Sequence, residues 1–370
     1  MKLPNHIPQF DVLRGLAVLD VMLYHITDIA PGLRLRPFFR SGYMGVDLFF
    51  VLSGFLITGI LVRSRDNERY FTNFYARRAL RIWPLYYALL FFTFVLLPAI
   101  QPQLRQVIFA LCHPWQSFPF FLQNLMLRGN AYDALRVTWS LAIEEQFYLV
   151  WPIVVWLAPR RMLKLLAVSG LLLSLALRWS VLYGLIPPLI IYTNTLTRLD
   201  GLALGAFLAL WIPEANSRTV KWTGLATMAA AVPLTLAVLY SEKAQWSFYS
   251  LVALSFAGLL CVAIQIPRAA NLEFLKYTGK ISYCLYLVHV PICAFLTSPR
   301  IYRLFQWGTP VWSDALLFVV SLALCYAVAA TSWHFFESKI LRLKSRFESI
   351  SASRGPLPAA AAPTTGTLRL

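Results

Sequence analysis

The chain has 370 residues, of which 59% are hydrophobic, 15% aromatic and only 13% charged. Soluble chains carry about a quarter charged residues, so this composition excludes an ordinary soluble enzyme. Lys and Arg outnumber Asp and Glu by 33 to 16, a net charge of +17; at a membrane such an excess sets topology and meets anionic lipid or phosphate, and nucleic acid is not an expected partner.

Apolar runs of about twenty residues, the length of a helix crossing roughly 30 Å of hydrocarbon, follow one another along the chain. The expected fold is all-α, a polytopic transmembrane bundle of about ten spans near residues 12–29, 44–62, 82–100, 138–157, 162–183, 189–211, 222–240, 247–266, 281–298 and 312–336. Most Lys and Arg residues fall in loops on the N-terminal side of this pattern, so both termini are expected in the cytoplasm. The first span carries Asp11, Arg14, Asp20, His25 and Asp28 with no small-residue cleavage site after it, and is expected to stay in the mature protein.

An ionisable group at membrane depth costs about 3 kcal/mol or more, so each is a functional candidate. In the first span, Arg14 and His25 return to within about 20° of one helix face and lie about 16 Å apart along the axis. The second span, entering from the outside, places Asp47 near the depth of His25. The third is led in by Arg77, Arg78 and Arg81, at helical spacing among aromatics; a guanidinium fork suits phosphate, and plain retention of positive charge inside is the alternative. In the connection 101–137, the Trp- and Phe-rich piece Cys112–Leu127 suits a short interfacial or re-entrant helix.

The fourth span puts Glu144 and Glu145 one or two turns deep, of which one can point fully inward. A histidine and three carboxylates are thereby expected at one level. A carboxylate beside an imidazole fixes its tautomer and raises its basicity, as a general base requires. Simple interhelical hydrogen bonding is the competing account. Further on, Arg198 and Asp200 are expected to neutralise each other near mid-span. His289, with Tyr286, Tyr283 and Ser282 on nearby turns, either packs or lines a substrate tunnel. His6 and His113 fall in loops, and His334 and Glu337 are expected to be structural. The five cysteines form no CxxC, so neither a disulfide framework nor a metal site is expected. Residues 8–340 form the expected membrane domain, and the polar, basic, then Ala/Pro-rich residues 341–370 a disordered cytoplasmic tail. GxSxG, HExxH and Walker patterns are absent.

In order, FDVLRGLAVLDVMLYH, GYMGVDLFFVLSGFLIT, FYARRALRIWPLYY, TWSLAIEEQFYLVWP, RLDGLALGAFLAL and GKISYCLYLVHVPI resemble the acyltransferase-3 family of integral-membrane O-acyltransferases, over roughly residues 8–340. The resemblance implies about ten spans in a bacterial inner membrane. It also implies transfer of an acyl group, commonly acetyl from acetyl-CoA, to a hydroxyl of a cell-envelope or exported carbohydrate such as peptidoglycan, O-antigen or exopolysaccharide. The family's basic residue and histidine fall on Arg14 and His25, its arginine pair on Arg78 and Arg81, and its glutamate block on Glu144 and Glu145. Some members add a hydrolase-like domain; this chain shows none, so a second transfer step is expected to need another protein.

Together these readings imply donor phosphates on Arg77, Arg78, Arg81 and Arg14, with the thioester reaching up to His25. His25, Glu144, Glu145 and Asp47 would then be the catalytic group, and Tyr286, His289, Arg198 and Asp200 would line the substrate path. His25 would act either as a general base or as a carrier of the acyl group. A proton-coupled sugar or lipid transporter would use the same buried ionisable groups, but predicts an inverted repeat that the sequence does not show. A scaffold for envelope enzymes would leave the shared face of Arg14 and His25 unexplained.

Overall fold

The computed structural model of the chain describes residues 7–126, 134–186, 191–238, 245–266, 272–306 and 309–347. Most of these residues are helical, with no strand among them. Eleven helices carry the architecture: α1 (Pro8–Ile29), α2 (Gly45–Ser64), α3 (Tyr70–Phe91), α4 (Thr138–Leu157), α5 (Arg160–Leu182), α6 (Leu199–Trp211), α7 (Ser217–Val238), α8 (Gln245–Ala263), α9 (Glu273–Lys280), α10 (Ser282–Leu296) and α11 (Pro310–Ser332). The protein is a multi-pass membrane bundle.

Among the described residues, seven helices are long and apolar enough to cross a membrane, or eight if the pair α9 and α10, bent by 74°, forms one broken span. Each of the ten expected spans overlaps a helix, yet α1 and α6 do not qualify as crossings, and α10, with 15 residues, qualifies only together with α9. Helix α1 is 22 residues long but holds too many charges. Helix α6 has only 13 residues, because the polar stretch before it is drawn into side-chain bonds: Asn124 donates to Thr193 O and Thr195 Oγ1, and Thr197 donates to Ile191 O.

The short interfacial or re-entrant helix expected at Cys112–Leu127 takes the form of a 3₁₀ stretch, Trp115–Phe120, and a single turn, Gln123–Met126; Leu127 lies outside the described residues. Gln123 and Asn124 are buried there, and Gln123 Nε2 reaches Thr138 at the head of α4. The segment therefore folds back into the bundle and fixes where α4 begins. The C-terminal helix runs past the expected boundary at 340, through Ser338–Arg342 and Leu343–Phe347. The remainder of the expected tail, and His6, lie outside the described residues.

Helices α2 and α6 cross in close contact. A Cβ on Gly54 would strike the Leu202 backbone, and one on Gly205 the backbone of Val51, so these two glycines let the backbones meet in the manner of small-residue membrane contacts. Helix α1 packs against α2, α9, α10 and α11. This places the charged first helix inside the bundle rather than against lipid.

Candidate active site

The site lies where α1, α2, α3, α4 and α10 converge. A cavity of about 100 Å³ is walled by Arg14 of α1, Phe49, Phe50 and Ser53 of α2, Arg78 and Arg81 of α3, Ser140, Glu144 and Tyr148 of α4, and Ser282, Tyr283 and Tyr286 of α10, with apolar neighbours. Three guanidiniums thus face a space whose wall holds one carboxylate. Glu144 accepts from Ser53 Oγ at 2.6 Å and from Tyr148 OH at 3.1 Å. The Arg78 guanidinium lies over the rings of Phe74 and Tyr148, 5.9 and 5.6 Å from their centroids. Arg14 makes a loose pair with Asp11 at 3.4 Å. Lys344, on the C-terminal turn packed against α3, lies within electrostatic reach of Arg81, Arg78, Arg77 and Arg14.

The far wall of the cavity is Ser140 and Tyr286. Tyr286 OH donates to Val137 O at 2.9 Å and lies 2.7 Å from Ser140 Oγ. Behind it, the ring of His289 is 5.7 Å from that of Tyr286, and His289 Nε2 is 3.2 Å from His25 Nδ1. His25 also meets Val21 O through Nδ1 at 3.0 Å and packs edge-on against Tyr24. His25 is not part of the cavity wall. The thioester path expected from Arg14 to His25 is not continuous with this cavity: Tyr286 lines it, and His289 and His25 do not.

The three carboxylates expected around His25 do not gather there. Asp47 Oδ1 instead accepts from Arg198 Nη2 at 2.8 Å, both side chains being 1% exposed. Glu144 sits lower, at the arginine level, because α4 begins within the protein at Thr138. Glu145, rotated by one residue, accepts from Trp83 Nε1 at 3.0 Å. Arg198 and Asp200 part company as well: Asp200 takes Arg178 at 2.9 Å and Ser250 Oγ, while Arg198 is enclosed by aromatic faces, the nearest being Tyr249 at 4.1 Å. Neither lines the cavity, and Arg77 is likewise absent from its wall. Arg198 ends the 3₁₀ turn Leu196–Arg198 whereas Asp200 lies in the first turn of α6, and this change of backbone turns the two side chains toward different neighbours. Ser53, Ser140 and Tyr148 were not singled out from sequence; Tyr148 had a signal, standing one turn after Glu144.

No group of three or more metal-ligating side chains occurs among the described residues. A model described as an acyltransferase domain matches residues 7–330. Among curated proteins the chain is 30% identical to an O-acetyltransferase of Staphylococcus aureus, covering 91% of this chain and 57% of that protein. It is 31% identical to a putative peptidoglycan O-acetyltransferase of Bacillus subtilis (91% and 55%). To a peptidoglycan O-acetyltransferase of Listeria monocytogenes it is 28% identical (91% and 56%). The chain therefore spans little more than half the length of these relatives. No solved structure matches it.

Proposed function

Since the chain belongs to the acyltransferase family whose domain model spans residues 7–330, we propose that it is an O-acetyltransferase of the bacterial inner membrane. It takes acetyl from cytosolic acetyl-CoA and passes it to a hydroxyl of a cell-envelope glycan. The observation that carries this reading is the cavity itself: Arg14, Arg78 and Arg81 at one end, and Tyr286 at the other, one side chain short of the His289 and His25 pair. The residues fit the donor. Guanidinium forks match its phosphates, and the distance along α1 from Arg14 to His25, about 16 Å, is comparable to an extended pantetheine arm. The relatives whose names mention peptidoglycan make that polymer the first acceptor to try.

His25 Nε2 takes the proton of the acceptor hydroxyl as that oxygen attacks the thioester carbonyl. The C–S bond then breaks, and the imidazolium returns its proton to the departing thiolate, so CoA leaves as the free thiol. If His25 Nε2 attacks the carbonyl instead, the same bond breaks and the acyl group moves on from the ring in a second step. Tyr286 must swing aside for either route. Glu144, held by Ser53 and Tyr148, balances the arginines when the donor has left. Incubating the purified protein with acetyl-labelled acetyl-CoA and chitopentaose tests the reading: labelled ester on the sugar, lost with His25→Ala, supports it, and uptake into liposomes without ester formation would point to transport.

A further inference from the structure

Two imidazoles touch at the end of this path, and their remaining contacts decide where the protons are. His289 is fully buried; its Nδ1 lies 3.2 Å from Leu285 O and its Nε2 3.2 Å from His25 Nδ1. His25 Nδ1 lies in turn 3.0 Å from Val21 O. A carbonyl oxygen only accepts, so a ring nitrogen bonded to one must carry the proton. His289 is therefore protonated at Nδ1, which leaves a lone pair on Nε2. That lone pair accepts from His25 Nδ1–H, which it shares with Val21 O. The four groups are mutually consistent in one tautomeric arrangement, and in that arrangement His25 Nε2 is free of a proton.

We propose that His289 is a positioning residue: Val21 O and His289 Nε2 share the His25 Nδ1 proton, and the second acceptor, on another helix, holds the ring so that His25 Nε2 is presented as the base or nucleophile. This rests on the reading of His25 as the transfer residue. A partner of this kind is commonly a carboxylate or a backbone carbonyl; here a neutral imidazole does the work, which avoids placing a further negative charge at membrane depth. It also accounts for the absence of Asp47, Glu144 and Glu145 from the surroundings of His25. The tilt between the two rings, 53° with centroids 5.0 Å apart, suits an in-plane N–H meeting a lone pair rather than stacking.

The test uses the full chain in detergent or liposomes, with two readouts. Diethyl pyrocarbonate acylates an unprotonated imidazole nitrogen, and peptide mass spectrometry gives its rate at His25 without any need for turnover. Kinetics with acetyl-CoA and chitopentaose give kcat and KM separately. His289→Leu is expected to slow labelling of His25 several-fold and to lower kcat about 10- to 100-fold, the usual cost of losing such a partner, with KM for acetyl-CoA little changed. His289→Gln, whose amide oxygen accepts at the same place, is expected to restore both, and it carries the test alone if His289→Leu does not fold. Unchanged labelling and kcat in His289→Leu would overturn the proposal. So would His289→Gln melting like wild type yet losing both. Wild-type protein that labels at His25 but transfers no acetyl would overturn the transfer reading and leave the tautomer assignment standing.

Discussion

Arginine at membrane depth needs a counter-charge or a ligand, and different side chains here use each solution. Arg198 and Arg178 are closed off against Asp47 and Asp200, so their task is to join helices. Asp47→Asn leaves a buried guanidinium without its partner and is expected to destabilise the fold by about 3–5 kcal/mol, read as a drop in melting temperature. Arg78 and Arg81 face the cavity. Arg78→Ala and Arg81→Ala are each expected to weaken acetyl-CoA binding about tenfold or more, as the loss of a charged hydrogen bond predicts, while the protein melts as before. Unchanged binding in a titration calorimeter would remove the phosphate assignment. The residue types, and the pairing of Arg14 with His25 on one helix, were legible in the sequence. The partners were not, because span position gives depth whereas contact also depends on rotation toward a particular neighbour. Asp47 lies on an expected level but faces α6, and His289 could be placed near mid-span without any sign that its ring meets His25.

Helix positions were legible because apolar runs of spanning length are a strong signal. Two features escaped that signal. Helix α6 is short because Thr193 and Thr195, just ahead of it, are bonded to Asn124 some seventy residues earlier, a long-range cause invisible in local hydropathy. The aromatics around Gln123 left an interfacial and a re-entrant segment equally open, and the polar anchor that draws the segment inside, Gln123 on Thr138, is a contact that hydropathy does not report. The α2 and α6 crossing, which carries Asp47 to Arg198, depends on Gly54 and Gly205. Gly205→Val drives a side chain into the Val51 backbone, and it is expected to cost about 1–3 kcal/mol by overpacking and to lower the folded yield on size-exclusion chromatography. A variant that melts as wild type would show that the two helices are free to separate.

At the scale of the molecule, the bundle sets Arg14, Arg78 and Arg81 on a cavity that Tyr286 also lines, with the histidine pair behind Tyr286. From the charge distribution the arginines are expected toward the cytoplasm; a reporter fused at the C-terminus is expected to act on the cytoplasmic side, and reporter activity on the outer side would invert that orientation. The family was legible from six ordered blocks, whereas the placing of Tyr286 between the cavity and His289 was not, since it depends on helices α4 and α10 meeting at Ser140. The central claim is that acetyl passes from CoA to a sugar hydroxyl through His25. Its most direct measurement is transfer of labelled acetyl from acetyl-CoA to chitopentaose by wild type and by folded His25→Ala. Labelled sugar ester formed by the first and abolished in the second is the predicted result; equal ester formation by both would contradict the account.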